Sequence, residues 1–92
     1  MIRSFRDKRT AAFAAGERVK EFDAFARQAQ RRLRILDDAE RIGDLARLPS
    51  NRFERLKGDR VGQCSVRINE QWRVCFVFRD GDAYEVEIVD YH

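Results

Sequence analysis

From residue 60 onward the chain alternates. In VGQCSVRI, Cys64, Val66 and Ile68 alternate with Ser65 and Arg67. In WRVCFVFR, Trp72, Val74, Phe76 and Phe78 alternate with Arg73, Cys75 and Val77. In AYEVEIVD, Tyr84, Val86 and Ile88 alternate with Glu85 and Glu87. A period of two marks a strand with one buried face. The segments between, NEQ and DGD, are short and turn-forming. Three strands joined this way are expected to form an antiparallel meander.

The N-terminal half has a different period. MIRSF reads as a short first strand, and TAAFAAGERVKEF as a helix-prone stretch broken at Gly16. The strongest helical signal is DAFARQAQRRLRILDDAERIGDLARLPSN, where Ala26, Ala29, Leu33 and Leu36 recur at three- and four-residue spacing. That spacing leaves Arg31, Arg32 and Arg34 on the solvated face. Asp23 is placed to cap the start, and Gly43 or Pro49 to end the helical region. The expected fold is therefore α+β, with two to three N-terminal helices packed on a mainly antiparallel sheet that ends in a three-stranded meander. At 92 residues, the chain from 1 to 92 is expected to be a single domain.

The longest apolar runs, CFVF and FAA, fall far short of the roughly 20 residues that span a bilayer. The start, MIRSFRDKRT, has no apolar signal core. These features point to a cytoplasmic protein with no membrane partner. Charge is uneven: residues 1–79 hold all 19 Lys and Arg against 11 acids, and residues 80–92 hold five acids and no base. Sixteen of the bases are Arg, whose planar fork suits phosphate, so nucleic acid is a candidate partner.

Register carries the argument towards chemistry. If the apolar faces of the first two meander strands coincide, Ile68 pairs with Trp72, Val66 with Val74 and Cys64 with Phe76. Arg67 is then opposite Arg73 on the other face. Like charges across a ladder are destabilising, so the pair asks for a counter-anion or strong solvation. The same rule pairs Phe78 with Tyr84, Phe76 with Val86 and Val74 with Ile88, and sets Val89 beside Arg73. A continuing strand would bring Tyr91 to the face of the two arginines, with Asp90 and His92 at its rim. An anion site and an ordinary solvated face are both open readings. Cys64 and Cys75 point to opposite faces, so they should stay free thiols, as suits a reducing compartment.

In LKGDR, Lys57 and Arg60 flank Gly58, which permits close backbone approach. The chain has a single histidine, His92, and no Ser/His/Asp constellation is assembled from it. No metal-like Cys and His spacing and no Gly-rich phosphate loop is present, so no metal and no cofactor is expected. Lys57, Arg60, Arg67 and Arg73 supply charge for a phosphoryl transition state without metal, and with Tyr91 and His92 they suggest a small ribonuclease.

RLKGDRVGQCSVRINEQWRVCF, DGDAYEVEIVDYH and the opening MIRSF resemble the HigB-type toxins of the RelE/ParE superfamily, also called plasmid maintenance or killer toxins. The resemblance covers the whole chain. It rests on the Leu-Lys-Gly-Asp turn, the Asn-x-x-Trp-Arg hairpin entry and the terminal Asp-Tyr-His. It implies a RelE-like microdomain that cleaves mRNA in the ribosomal A site. It also implies neutralisation by a helix-turn-helix, HigA-like antitoxin, through which alone operator DNA is contacted. The implied chemistry is metal-free: a 2′-hydroxyl attacks the adjacent phosphate and leaves a cyclic phosphate.

By the same resemblance, Lys57 and Arg73 match family basic positions and Asp90, Tyr91 and His92 match the tail, so the last histidine looks native and catalytic. Arg67 and Arg60 join as phosphate-binding residues from the register and turn arguments. Family members often carry a His three residues before the Lys-Gly pair, where this chain has Glu54. Either Glu54 is a carboxylate base or the work shifts to Tyr91 and His92. Two other functions share the scaffold: a ParE-like gyrase inhibitor without nuclease activity, and a degenerate antitoxin-binding regulator.

Overall fold

The alternating segments pair as an antiparallel sheet in a computed structural model that describes residues 1–90. Its strands β1 (Glu54–Arg55), β2 (Cys64–Arg67), β3 (Arg73–Arg79) and β4 (Asp82–Val89) lie side by side in chain order. Helices α1 (Lys8–Ala14), α2 (Ala26–Asp38) and α3 (Ile42–Ala46) precede them. Short 3-10 turns cover Lys20–Phe25, Pro49–Asn51 and Gly58–Arg60. This is an α+β fold with a C-terminal meander, consistent with a RelE-like architecture. No helix among the described residues is long and apolar enough to cross a membrane.

One face of the sheet and one stripe of α2 make the core. Val66, Val74, Phe76, Val86 and Ile88 meet Ala29, Leu33 and Leu36, and all eight are buried. Each large apolar side chain buried in this way contributes roughly 1.5–3 kcal/mol. Trp72 stacks against Phe25 at 5.1 Å and meets Phe22 edge-on at 5.8 Å, so the β2–β3 hairpin is anchored to the helical layer. The Arg9 guanidinium lies over both Phe22 and Trp72.

The β2–β3 register is the one the alternation dictates: Cys64 pairs with Phe76, Val66 with Val74 and Arg67 with Arg73. Its turn is fixed by the Asn69 side-chain oxygen, which accepts from the backbone N–H groups of Gln71 and Trp72, each at 2.8 Å. The β3–β4 hairpin keeps Val74 with Ile88 and Arg73 with Val89, but Phe78 pairs with Ala83 rather than Tyr84. Between Cys75–Glu87 and Val77–Tyr84, the single residue Phe76 faces two residues of β4, Glu85 and Val86. This bulge turns Tyr84 to the face away from the core, where the Arg79 guanidinium covers its ring at 4.6 Å. Ala83 takes the core position and is fully buried. Glu85 has the left-handed φ of 52° that such an insertion needs.

The N-terminal segment forms only two isolated parallel bridges to β4, Ile2 with Ala83 and Phe5 with Val86, instead of a full strand. It straddles the bulge, and the Ser4 hydroxyl accepts the Glu85 N–H at 2.9 Å. Beyond it the buried Thr10 hydroxyl accepts the Ile88 N–H at 3.1 Å, which completes the cover on that edge.

Three helical expectations are corrected. Asp23 does not cap α2; its carboxylate is taken by Arg18 at 2.6 Å, inside the Lys20–Phe25 turn. The helical region breaks at Ala39, before Gly43 and Pro49. The Asp44 carboxylate stabilises the restart by accepting the N–H groups of Glu40 and Arg41, which holds its pKa below the usual carboxylate range. Arg31 and Arg34 are solvated, but Arg32 reaches under the sheet: its Nε donates to the Arg67 carbonyl at 2.7 Å and a terminal nitrogen to the Ser50 carbonyl at 3.2 Å. Cys64 and Cys75 are free and buried, on opposite faces as their register demands.

The bulge gives a stability prediction. A side chain in left-handed conformation costs about 1–2 kcal/mol, and glycine gives back roughly half of that through the entropy of its unfolded chain. Glu85→Gly should therefore raise the unfolding free energy by about 0.5–1 kcal/mol in urea titrations, and Glu85→Val should lower it. Destabilisation by the glycine variant would show that Glu85 carries no strain.

Candidate functional site

The sheet face away from the helices carries the charged side chains, in two rows set by register. One row runs Glu54, Ser65, Cys75, Glu87 from β1 to β4. The next holds Arg67, Arg73 and Val89. The two central members of the first row are small and fully buried, which leaves room for long side chains to lie over them.

Arg73 does so. Its Nε donates to the Ser65 hydroxyl at 2.8 Å, a terminal nitrogen donates to the Arg52 carbonyl, and another lies 3.9 Å from a Glu54 carboxylate oxygen. The side chain is 14% exposed, so this guanidinium is fixed in place with one edge to solvent. Arg52 accepts from it in a left-handed conformation, φ 44°, at the end of the Pro49–Asn51 turn. Arg67 beside it is 29% exposed and lies 3.9 Å from Glu70, itself almost fully exposed. That surface pair contributes little. The counter-charge expected for the two facing arginines thus comes in part from the chain itself, through Glu54 and Glu70.

Arg52, Glu54, Arg67, Asn69, Glu70 and Arg73 line an open depression of about 310 Å³. Three arginines and two glutamates are among its lining residues, so the depression favours an anion. Arg32 steadies it from beneath through its bonds to the Arg67 and Ser50 carbonyls. Burial lowers the Arg32 pKa, with the nearby Arg31 adding to the effect.

The other expected site residues are Lys57, Arg60, Asp90, Tyr91 and His92. Asp90 follows Val89, the partner of Arg73, and accepts a hydrogen bond from Gln71 Nε2 at 2.8 Å. Arg60 lies on the β4 side of the face, where it donates to Glu87 at 3.3 Å and Gln63 at 3.1 Å. Between the two arginine clusters the buried Cys75 thiol is pushed up to about 11 by burial, against the nearby cations Arg60, Arg73 and Arg6. Lys57 is exposed at the start of the Gly58–Arg60 turn, outside the lining of the depression. Tyr91 and His92 lie outside the described residues.

Sequence reasoning did not find Arg52, Ser65, Asn69 or Glu87. Ser65 and Glu87 were legible as outward positions of their strands, but nothing marked them as partners of arginine. The Arg52 contribution is a backbone carbonyl, which leaves no trace in residue type. No group of three or more His, Cys, Asp or Glu suited to a metal ion occurs among the described residues.

Comparison with known proteins adds to this geometry. Residues 3–92 match the family described as the RelE-like toxin of type II toxin-antitoxin system HigB. A protein named Toxin HigB-1 from Vibrio cholerae is 49% identical over 53 residues, 58% of this chain and 56% of that protein. One named Endoribonuclease HigB from Proteus vulgaris is 43% identical over 61 residues, 66% of this chain and 65% of that protein. The matched stretch thus spans less than two thirds of either relative. The family match runs from the N-terminal segment to the chain end and takes in every element that builds the charged face, so this chain belongs to the HigB-like toxins, the RelE-like toxins of type II toxin-antitoxin systems.

Proposed function

We propose that this toxin is an endoribonuclease that cuts mRNA in the ribosomal A site and so inhibits translation. The observation that carries the reading is the Arg67–Arg73 pair, two arginines directly opposed across the ladder that line a depression open to solvent. Supporting it is the name of the Proteus vulgaris relative, Endoribonuclease HigB.

In this reading Arg73 and Arg67 hold the nonbridging oxygens of the scissile phosphate and stabilise the charge that grows there in the transition state. The adjacent 2′-hydroxyl oxygen attacks phosphorus, and its proton passes to a base. In this reading Glu54, 57% exposed and 3.9 Å from Arg73, serves as that base. The P–O5′ bond breaks and the leaving oxygen takes a proton from His92, leaving a 2′,3′-cyclic phosphate and a 5′-hydroxyl. Asp90 orients His92, and Tyr91 stacks on a base or shares in proton transfer. Lys57 and Arg60 grip flanking phosphates. The sequence of proton transfers is complete without a metal or cofactor. A helix-turn-helix antitoxin of HigA type holds the toxin inactive in the cytoplasm and provides the only link to operator DNA.

Loss of one transition-state charge donor costs roughly 3–4 kcal/mol. Arg73→Ala should therefore lower the rate of cleavage on programmed ribosomes by about 100- to 1,000-fold, with Arg67→Ala weaker. Arg73→Lys, run beside it, separates lost charge from lost packing against Ser65. Full activity in both alanine variants would return the pair to a solvated face. Intact mRNA with wild-type protein, together with blocked supercoiling in a gyrase assay, would replace this reading with the gyrase one.

A general acid contributes about 100- to 10,000-fold. Deleting His92 should abolish growth arrest at matched expression while thermal unfolding and antitoxin capture stay unchanged. Growth arrest equal to wild type would leave Tyr91 or Glu54 as the proton-transfer group.

A further inference from the structure

A carboxylate on a face built to meet a polyanion needs a reason. Glu87 is such a group. It projects from β4 in the row that begins with Glu54, opposite the buried Cys75, and its side chain is only 18% exposed. One of its oxygens accepts from Arg60 at 3.3 Å and lies 3.9 Å from Arg6. Arg60 ends the three-residue turn Gly58–Arg60, Gly58 and the following Gly62 are both in left-handed conformation, and the Arg60 side chain is 26% exposed. A long side chain on such a turn samples many rotamers unless something holds it. Gln63 Oε1 holds it from its own loop at 3.1 Å, and Glu87 holds it to the sheet. At the opposite end of the row Glu54 lies 3.9 Å from Arg73.

We infer that Glu87 is a positioning residue: it pins the Arg60 guanidinium to the sheet beside Cys75, where Arg60 takes a phosphodiester of the RNA strand neighbouring the one at Arg67 and Arg73. The inference rests on the ribonuclease reading and adds to it the support that holds Arg60 at its flanking phosphate. Arg6 braces Glu87 from the N-terminal segment, so the subsite is tied to the β4 edge of the sheet. The sign of the effect separates this role from a bystander. Removing a bystander carboxylate from a polyanion-binding face strengthens binding, whereas removing a positioning one weakens it.

The test measures KM and kcat for cleavage on programmed ribosomes by wild type, Glu87→Ala, Glu87→Gln, Arg60→Ala and the Glu87→Ala/Arg60→Ala double variant, with thermal unfolding of each. A charge-assisted hydrogen bond corresponds to roughly tenfold or more in binding. Glu87→Ala should raise KM about tenfold with kcat within about twofold, and Glu87→Gln, which keeps the acceptor oxygen, should recover part of the loss. The double variant should be no worse than Arg60→Ala, because both changes remove one unit. A lowered or unchanged KM in Glu87→Ala, or losses that add in the double variant, would overturn the inference while wild-type cleavage upholds the ribonuclease reading. Absence of cleavage by wild type would overturn that reading and the inference with it. If Glu87→Ala fails to fold, the Glu87→Gln variant decides alone: a KM at or below wild type overturns the role.

Discussion

Pairing Arg67 with Arg73 across one antiparallel ladder is the constraint on which the rest of the molecule depends. Directly opposed residues in such a ladder have Cα atoms about 4.5–5.5 Å apart, so two cations there repel unless each finds other company. The chain provides it on every side. Ser65 and the Arg52 carbonyl take donors from Arg73, Glu54 and Glu70 bring negative charge, and Arg32 holds the Arg67 carbonyl from the helical layer. None of these groups cancels the cluster. They fix where its charge points, and that is what a preorganised anion site requires.

The same constraint ties the core to the site. Register cannot slip by one residue without moving Val66, Val74 and Phe76 out of the apolar layer, so burial of those side chains holds the arginines in place. Trp72, next to Arg73, is locked against Phe22 and Phe25 and extends that hold to the start of β3. Among the described residues the depression is lined by polar and charged side chains, and its order is borrowed from the opposite face of the sheet.

What could be read from the sequence follows from which signals are periodic. The β2–β3 pairing was legible because two apolar faces had to coincide, and the facing arginines came with it. The β3–β4 pairing was legible only as far as Cys75 and Glu87, since the inserted residue at the bulge keeps the apolar pattern plausible while shifting Tyr84 to the other face. Strand β1 is two residues long and has no alternation to detect, so Glu54 could be noticed by its place before Lys57 but not by its ion pair with Arg73. Arg32 looked like part of a solvated run because helical spacing does not reveal a side chain long enough to reach the next layer. Carbonyl acceptors such as Arg52 and Ser50 are invisible in residue type altogether.

The central claim is that the outward face at Arg67 and Arg73, and not the exposed arginines of α2, receives RNA phosphate. It is tested most directly by following the arginine Nε–H resonances while the protein is titrated with ribosomes programmed with an mRNA that carries a single 2′-deoxy substitution at the cut site. The account predicts that Arg73 and Arg67 shift or broaden first, with Arg27, Arg31 and Arg34 unmoved. Perturbation confined to Arg27, Arg31 and Arg34, with Arg67 and Arg73 silent, would contradict it.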